Sequence, residues 1–309
     1  MQPFVIFNPA AAYGHARRLW PRIEGALRDA IGPYERVDTA RPGHARELAR
    51  TVAANGARLV VAVGGDGTIS EAIDGLVGGN GAAPPDVRFG FVAIGTGNDY
   101  RRSLGETGDF LADIARLGNG RERIVDLGRL TYVANDGRQE IRHFNNVASF
   151  GISGATIQAV DRATVSRLFG PKLLFYWASV KTLLGFRFRN VRLSIDNAFD
   201  ECCRIALVAV AIGSHFGAGM KIAPDADPAD GLFEIVIVRG DSKAHLIASM
   251  PKLYDGSHVN DRAVTILRGR RVSATPLDGG EVLLDIDGEA PGRLPASFEI
   301  LPRALALRG

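Results

Sequence analysis

The chain has 309 residues, of which 46% are apolar, with a mean hydropathy of +0.04. That is enough to bury a sizeable core, and it excludes a disordered polymer and suggests two domains. The formal charge of +3 is carried mostly by arginine, which suits phosphate-bearing substrates or an anionic membrane surface but argues weakly for either. The basic residues are scattered and match no recognition module, so no nucleic-acid partner is expected.

Taken in chain order, "FVIFNP" reads as a short buried strand that ends at Asn8 and Pro9. "ARRLWPRIEGALRDAI" follows with helical spacing, in which Pro21 is tolerable only near a helix start or at a break. "YERVDT" is a second strand, and "GHARELARTVAANG" a helix closed by Gly56. "RLVVAVG" is a third strand that runs through "GDGT" into a helix carrying Ile69, Ala72, Ile73 and Leu76 on one face. "RFGFVAIG" is a fourth, followed by "TGNDYRRSLG". Strands alternating with helices predict an α/β domain with a parallel sheet and helices on both faces, spanning 1–124. From residue 125 the texture changes to short strands separated by Gly, Asn and Asp turns. A second, antiparallel β-sandwich-like domain is predicted over 125–295, with helical segments around 155–185 and 242–254. The final segment, 296–309, is free to pack back on the first domain.

The only cysteines, Cys202 and Cys203, are adjacent and supply no disulfide framework, so a reducing compartment is expected. No signal-peptide pattern and no run of 18 apolar residues occurs, which gives a cytoplasmic expectation with transient contact at the inner face of the membrane.

Three strand ends carry the chemistry. In "GGDGT", Gly64, Gly65 and Gly67 allow close approach of a phosphate chain, Asp66 can act through a divalent cation, and Thr68 can cap the helix or bond a phosphate oxygen. An ordinary strand–turn–helix connection is the plain alternative. "AIGTGNDY" places Thr96, Asn98 and Asp99 at a second strand end, and "FNP" places Asn8 at a third. In a doubly wound sheet such ends converge on one crevice. There is no G-x-x-x-x-G-K-[ST], no G-x-G-x-x-G on the first strand–helix unit, no H-E-x-x-H and no G-x-S-x-G. His44, His143, His215, His245 and His258 form no local ligand pattern.

"LLDIDGEAPG" presents Asp285, Asp287 and Glu289 at alternating positions, so an extended strand would turn all three to one side. A solvated turn after a buried strand is the alternative. "APDADPADGLF" holds Asp225, Asp227 and Asp230 in a Pro-punctuated loop, where turn capping competes with metal binding. "FGPKLLFYWASVKTLLGFRFRN" spaces Leu173, Trp177, Val180 and Leu184 near one helical face among Lys172, Lys181, Arg187 and Arg189. It suits a membrane interface or the mouth of an acyl-chain pocket, with a core-packed helix as the alternative.

These motifs, with "FNPAAAYGHARRLW" and "FNNVASFGISG", run in order through nearly the whole chain and resemble the bacterial diacylglycerol kinase and related lipid-kinase family, whose catalytic domain is shared with sphingosine and ceramide kinases. The resemblance implies a two-domain kinase with its active site in the interdomain cleft, transferring the γ-phosphate of ATP to a lipid hydroxyl. Diacylglycerol giving phosphatidic acid is the leading reaction. Phosphatidylglycerol, a sphingoid base or ceramide are the alternative acceptors, and an NAD kinase-like enzyme or a non-catalytic nucleotide sensor are the other classes. Carried residue by residue, it assigns Asn8, Thr39, Gly65, Asp66, Gly67, Thr68, Glu71 and Thr96 to the nucleotide site. Asp66 and Asp287 would support Mg–ATP, and Glu289 would accept the lipid hydroxyl's proton. It also assigns a structural Mg²⁺ to Asp227, Asp230 and the carbonyl of Leu232. One departure is Ala12 and Tyr13 before Gly14, where the family places glycines. The expected partners are ATP, a lipid alcohol and the membrane surface, with a homodimer left open.

Overall fold

The computed structural model describes residues 2–77, 81–162 and 171–309. Residues 78–80 and 163–170 lie outside the described residues, as do the side chains of residues 160–162 and 171–175, Lys172 and Leu173 among them. In chain order the first elements are β1 (Phe4–Phe7), α1 (Ala11–Ile31), β2 (Glu35–Asp38), α2 (His44–Ala54), β3 (Leu59–Gly64) and α3 (Asp66–Leu76). Next come β4 (Arg88–Ala93), α4 (Asp99–Ser103), α5 (Phe110–Asn119), β5 (Glu122–Ala134), β6 (Gln139–Phe144) and β7 (Val147–Gly151). They are followed by α6 (Ile152–Arg162), α7 (Pro171–Gly185), β8 (Arg189–Ile195), β9 (Phe199–Ala211), β10 (Phe233–Arg239) and α8 (Lys243–Ser249). The last are α9 (Lys252–Asp255), β11 (Val264–Gly269), β12 (Arg271–Pro276), β13 (Leu284–Ile286) and β14 (Gly292–Arg308). The chain forms two compact units, residues 1–127 with 301–309, and residues 128–300.

In the first unit, β2, β1, β3 and β4 lie in that order, all parallel. Leu307 of β14 pairs in parallel with Phe89 of β4. The strands read as apolar runs because both faces are covered. Phe4 and Ile6 of β1 pack with α2 and α3, while Val5 and Phe7 pack with α1 and α5. Helix α1 buries Ala16, Trp20, Ile23 and Leu27 at helical spacing. Its first turn is irregular, with Ala12, Tyr13 and Gly14 all in the left-handed region (φ 49°, 55° and 81°). The helix then runs through Pro21 rather than starting or breaking there. Pro21 and Arg17 both lie on the exposed face, where water can satisfy the carbonyl that the missing N–H leaves unbonded. Helices α2 and α3 cross at Gly75, where a Cβ would sit 2.2 Å from the Arg46 carbonyl oxygen.

The second unit is antiparallel. Strand β9 pairs with β8 through its first half and with β7 through its second, and with β10 on the other side. Its inward residues alternate between two cores. Ile205, Val208 and Val210 join one with Phe144, Phe150 and Phe298, while Leu207, Ala209 and Ala211 join another with Ile222 and Val236. A long strand buried on both faces needs this unbroken run of apolar side chains. Among the described residues no helix is long and apolar enough to cross a membrane.

Candidate functional site

In the first unit the strand order 2-1-3-4 reverses direction between β1 and β3, and ligands of open α/β sheets bind at the carboxyl ends flanking such a reversal. Phe7 pairs with Asp38 and Val63, and Gly64 with Ala93, so the residues that follow form one row. Asn8 and Thr68 join across the reversal, with Asn8 Nδ2 donating to Thr68 Oγ1 at 2.9 Å. Asn8 Oδ1 accepts from the Ala10 N–H at 3.0 Å, which holds the side chain in place. Thr68 is buried and spends its hydroxyl on Asn8 instead of capping α3. The N-cap position is Gly65, which has no side chain to cover the first-turn N–H groups. Open space lies beside Gly67, so the start of α3 is a surface suited to an anion.

The second glycine junction is built against the first. A Cβ on Gly95 would stand 3.1 Å from the Gly65 Cα and 3.0 Å from Asn98 Oδ1, so the second loop takes a larger residue there only if its neighbours shift. The Tyr100 N–H donates to Asp66 Oδ1 at 3.2 Å, which places the Asp66 carboxylate at the start of α4. Burial pushes the Asp66 carboxyl above its ordinary pKa, and the backbone N–H groups of residues 98–100 pull it back. Asn98 supports the loop by accepting the Gly95 N–H at 2.9 Å. Thr39 follows β2 and is partly buried, its N–H donating to the Phe7 carbonyl at 2.8 Å, while Thr96 is exposed. Glu71 is committed elsewhere in the row. Its two oxygens accept the Gly43 N–H at 2.7 Å and the Ala45 N–H at 3.2 Å, capping the start of α2.

In the second unit the acidic motif is a turn, not a strand. Ile286 and Glu289 exchange backbone hydrogen bonds of 2.8 and 3.0 Å around Asp287 and Gly288, both left-handed (φ 48° and 90°). This is the two-residue hairpin that Asp-Gly favours, because both positions require φ > 0. The expectation that Asp285, Asp287 and Glu289 share one strand face is therefore corrected: β13 stops at Ile286. Asp285 is buried beside Ser149, accepts the Gly288 N–H at 2.9 Å, and is pushed up to about 7 chiefly by burial. Asp287 Oδ2 accepts the Asn145 N–H at 3.2 Å and its Oδ1 the Val147 N–H at 3.0 Å, so this carboxylate holds the "FNN" connection. Glu289 projects further out and pairs with Arg142 at 2.7 Å.

Arg142 and Asn145 were missed in the sequence. Asn145 is buried, and its side-chain oxygen has no hydrogen-bond partner among the described residues. On β6 the exposed Gln139, Glu140 and Ile141 are followed by the buried Arg142, His143 and Phe144, so no alternation of residue type marked Arg142 in the sequence.

The loop at 224–232 uses its carboxylates as turn acceptors. The Ala229 N–H donates to Asp227 Oδ1 at 3.0 Å, and the Leu232 N–H to Asp230 Oδ1 at 2.9 Å. Arg268 pairs with the other oxygen of Asp230. Nearby, Glu234 is buried, its Oε1 has no partner among the described residues, and burial together with the charge of Asp225 raises its pKa. Hard oxygen donors with uncompensated negative charge suit a divalent cation, although Arg268 already answers part of that charge. Among the described residues no three His, Cys, Asp or Glu side chains gather to hold a metal.

The second unit also contains a mostly apolar cavity of about 110 Å³, lined in part by Ile152, Leu183, Leu207, Met220 and Leu246. Leu183 and Ser179 of α7 face it, while Trp177, Lys181 and Leu184 of the same helix are exposed.

Comparison with known proteins gives concordant matches. The diacylglycerol kinase catalytic domain matches residues 2–130, and the YegS C-terminal NAD kinase beta sandwich-like domain matches residues 146–309. A diacylglycerol kinase of Mycobacterium tuberculosis is 30% identical over 264 residues, covering 84% of this chain and 80% of its own. One from Bacillus subtilis is 29% identical, covering 97% and 93%. A diacylglycerol kinase structure from Bacillus anthracis superposes with a TM-score of 0.73 at 18% identity, covering 99% of this chain and 96% of that one. Yeast NADH kinase shares the fold more distantly, with a TM-score of 0.54 at 12% identity, covering 99% and 82%.

Proposed function

This chain belongs to the diacylglycerol kinase family and is a lipid kinase, and from that premise we propose that it transfers the γ-phosphate of ATP to the hydroxyl of a lipid alcohol, diacylglycerol giving phosphatidic acid. The observation that carries the reading is the junction in the first unit, where the Asn8–Thr68 bond spans the β1/β3 reversal beside Asp66 and the start of α3. Backbone N–H groups and glycines there would receive the phosphates, and Asp66 would help to hold the accompanying divalent cation, which when bound would offset the phosphate charge. Thr39 and Thr96 flank the nucleotide, and Glu71 keeps the neighbouring helix start in register.

Glu289 takes the acceptor proton. As the acceptor oxygen bonds to the γ-phosphorus, the bond to the bridging oxygen breaks and leaves its electron pair on ADP. The hydroxyl proton passes to the Glu289 carboxylate and later to water. Asp287 holds the turn from which Glu289 reaches. Asp227, Asp230 and the Leu232 carbonyl would hold a structural divalent cation, which when bound would brace the loop ahead of β10. The apolar cavity supports an acyl-chain site, and the exposed Trp177, Lys181 and Leu184 support contact with a membrane surface.

The test is ATP-dependent phosphate transfer to diacylglycerol, monoacylglycerol, phosphatidylglycerol, a sphingoid base, ceramide and NAD in parallel. Diacylglycerol should be the best acceptor, and Asp66→Asn should stay folded yet lose most turnover. Transfer to NAD without transfer to any lipid would overturn the substrate class, and near-parental kinetics of the variant at saturating Mg–ATP would remove the role of Asp66.

A further inference from the structure

We propose that Arg142 is a positioning residue for Glu289: its guanidinium engages one carboxylate oxygen, Oε2, so that the other, Oε1, is the oxygen presented to the acceptor hydroxyl. The inference rests on the reading of Glu289 as proton acceptor.

The two partners differ in freedom. The Arg142 side chain is 8% exposed and the Glu289 side chain 40%. A half-exposed glutamate samples several rotamers, and its carboxylate plane is set only by what binds it. The Arg142 Nη1–Glu289 Oε2 bond of 2.7 Å provides that restraint from a buried, backbone-anchored side. Register makes the restraint rigid. Arg142 sits opposite Leu130 in the β5–β6 ladder, three residues before Asn145, whose N–H holds Asp287. Val147 holds the same carboxylate from the start of β7, and Asp285 ties the turn to Gly288. One segment, residues 142–147, therefore templates both the backbone of the acidic turn and the head group of Glu289.

The residue type fits this task. An arginine keeps its charge when buried, and its Nη1–H holds Glu289 Oε2 in a charge-assisted bond of defined direction, which fixes where that oxygen sits. A lysine ammonium would supply the charge on a flexible stem without that directed N–H. An arginine whose sole work was strand stability would be a poor choice for an inward position beside an outward isoleucine.

The experiment compares the parent, Arg142→Gln, Arg142→Lys, Glu289→Gln and the double variant Arg142→Gln/Glu289→Gln, in steady-state and single-turnover transfer to diacylglycerol with melting temperatures recorded. Arg142→Gln should lower kcat by roughly 10- to 100-fold with KM for ATP nearly unchanged, since the loss is one of orientation at the acceptor. Arg142→Lys should recover part of kcat, and because it retains the buried cation it reports even where the glutamine variant folds poorly. In the Glu289→Gln background, Arg142→Gln should cost little more, because the group that it positions is already disabled. Equal losses in both backgrounds would overturn the positioning role, as would a parental kcat for Arg142→Gln beside a disabled Glu289→Gln. Parental turnover by Glu289→Gln is a separate pattern: it would remove the proton-acceptor reading itself, and the inference with it.

Discussion

Asp285 shows how one side chain in the acidic turn is expected to govern stability with pH. Burial raises its carboxyl from 3.8 to about 7, and the nearby charges of Asp287 and Glu289 add to the rise. A folded pKa above the unfolded one means that the folded state holds the proton more tightly. Its contribution is fully present below about pH 4 and is lost as pH climbs toward 7, a total of roughly 4 kcal/mol from a shift of this size. Asp285→Asn keeps an oxygen for the Gly288 N–H and removes the ionisation. Urea unfolding should therefore show the variant gaining on the parent as pH rises from 5 to 8. Parallel stability curves for the two proteins would refute that assignment.

Among the elements, α7 is the one whose two faces do different things. Ser179 and Leu183 border the apolar cavity, while Trp177 and Leu184 are each 61% exposed, with Lys181 between them. A core-packed helix would not leave a tryptophan in water, and the pairing of indole with lysine fits an interface where apolar and anionic groups meet. Trp177→Ser should lower activity on diacylglycerol in anionic vesicles by about tenfold, the equivalent of part of an aromatic burial, and spare a short-chain soluble analogue. Equal losses on both substrates would identify a packing defect. Strand β9 differs in that its apolar residues alternate between two cores, with Leu207 also bordering the cavity.

For the molecule as a whole, the order of elements along the chain is not the order of folding units. The chain leaves the first unit within β5 and returns to it within β14, so residues 301–309 belong with residues 1–127. Ala304, Leu305 and Leu307 are buried in that unit's core, and Leu307 pairs with Phe89. Removing residues 301–309 strips two buried leucines, Leu305 and Leu307, at about 1.5–3 kcal/mol each, from a domain whose total stability is of order 5–15 kcal/mol. Calorimetry of the truncated chain should show a transition lowered by many degrees and loss of ATP-dependent stabilisation. An unchanged melting profile would show that the strand's end contributes nothing to the unit.

The amino-acid sequence by itself determined the local backbone: the change of hydrophobic period across residues 59–77, the glycines at two strand ends, and the antiparallel texture after residue 125. Those features follow from steric and burial preferences that act within a few residues, which is why the α/β and β-rich halves could be read without coordinates. That Asn8, Asp66 and Asn98 fall in one row was foreseeable for the same reason, because parallel strands bring their carboxyl ends together. Only the tertiary structure decided who holds whom. The commitment of Glu71 to the start of α2, the seat of Asp66 on Tyr100, the Asp287–Gly288 turn where a strand was expected, and the pairing of Arg142 with Glu289 all depend on strand register and helix crossings. Arg142 and Glu289 stand 147 positions apart, and no local preference of either residue encodes that meeting; it is set by the sheet that brings the β6–β7 segment beside the acidic turn.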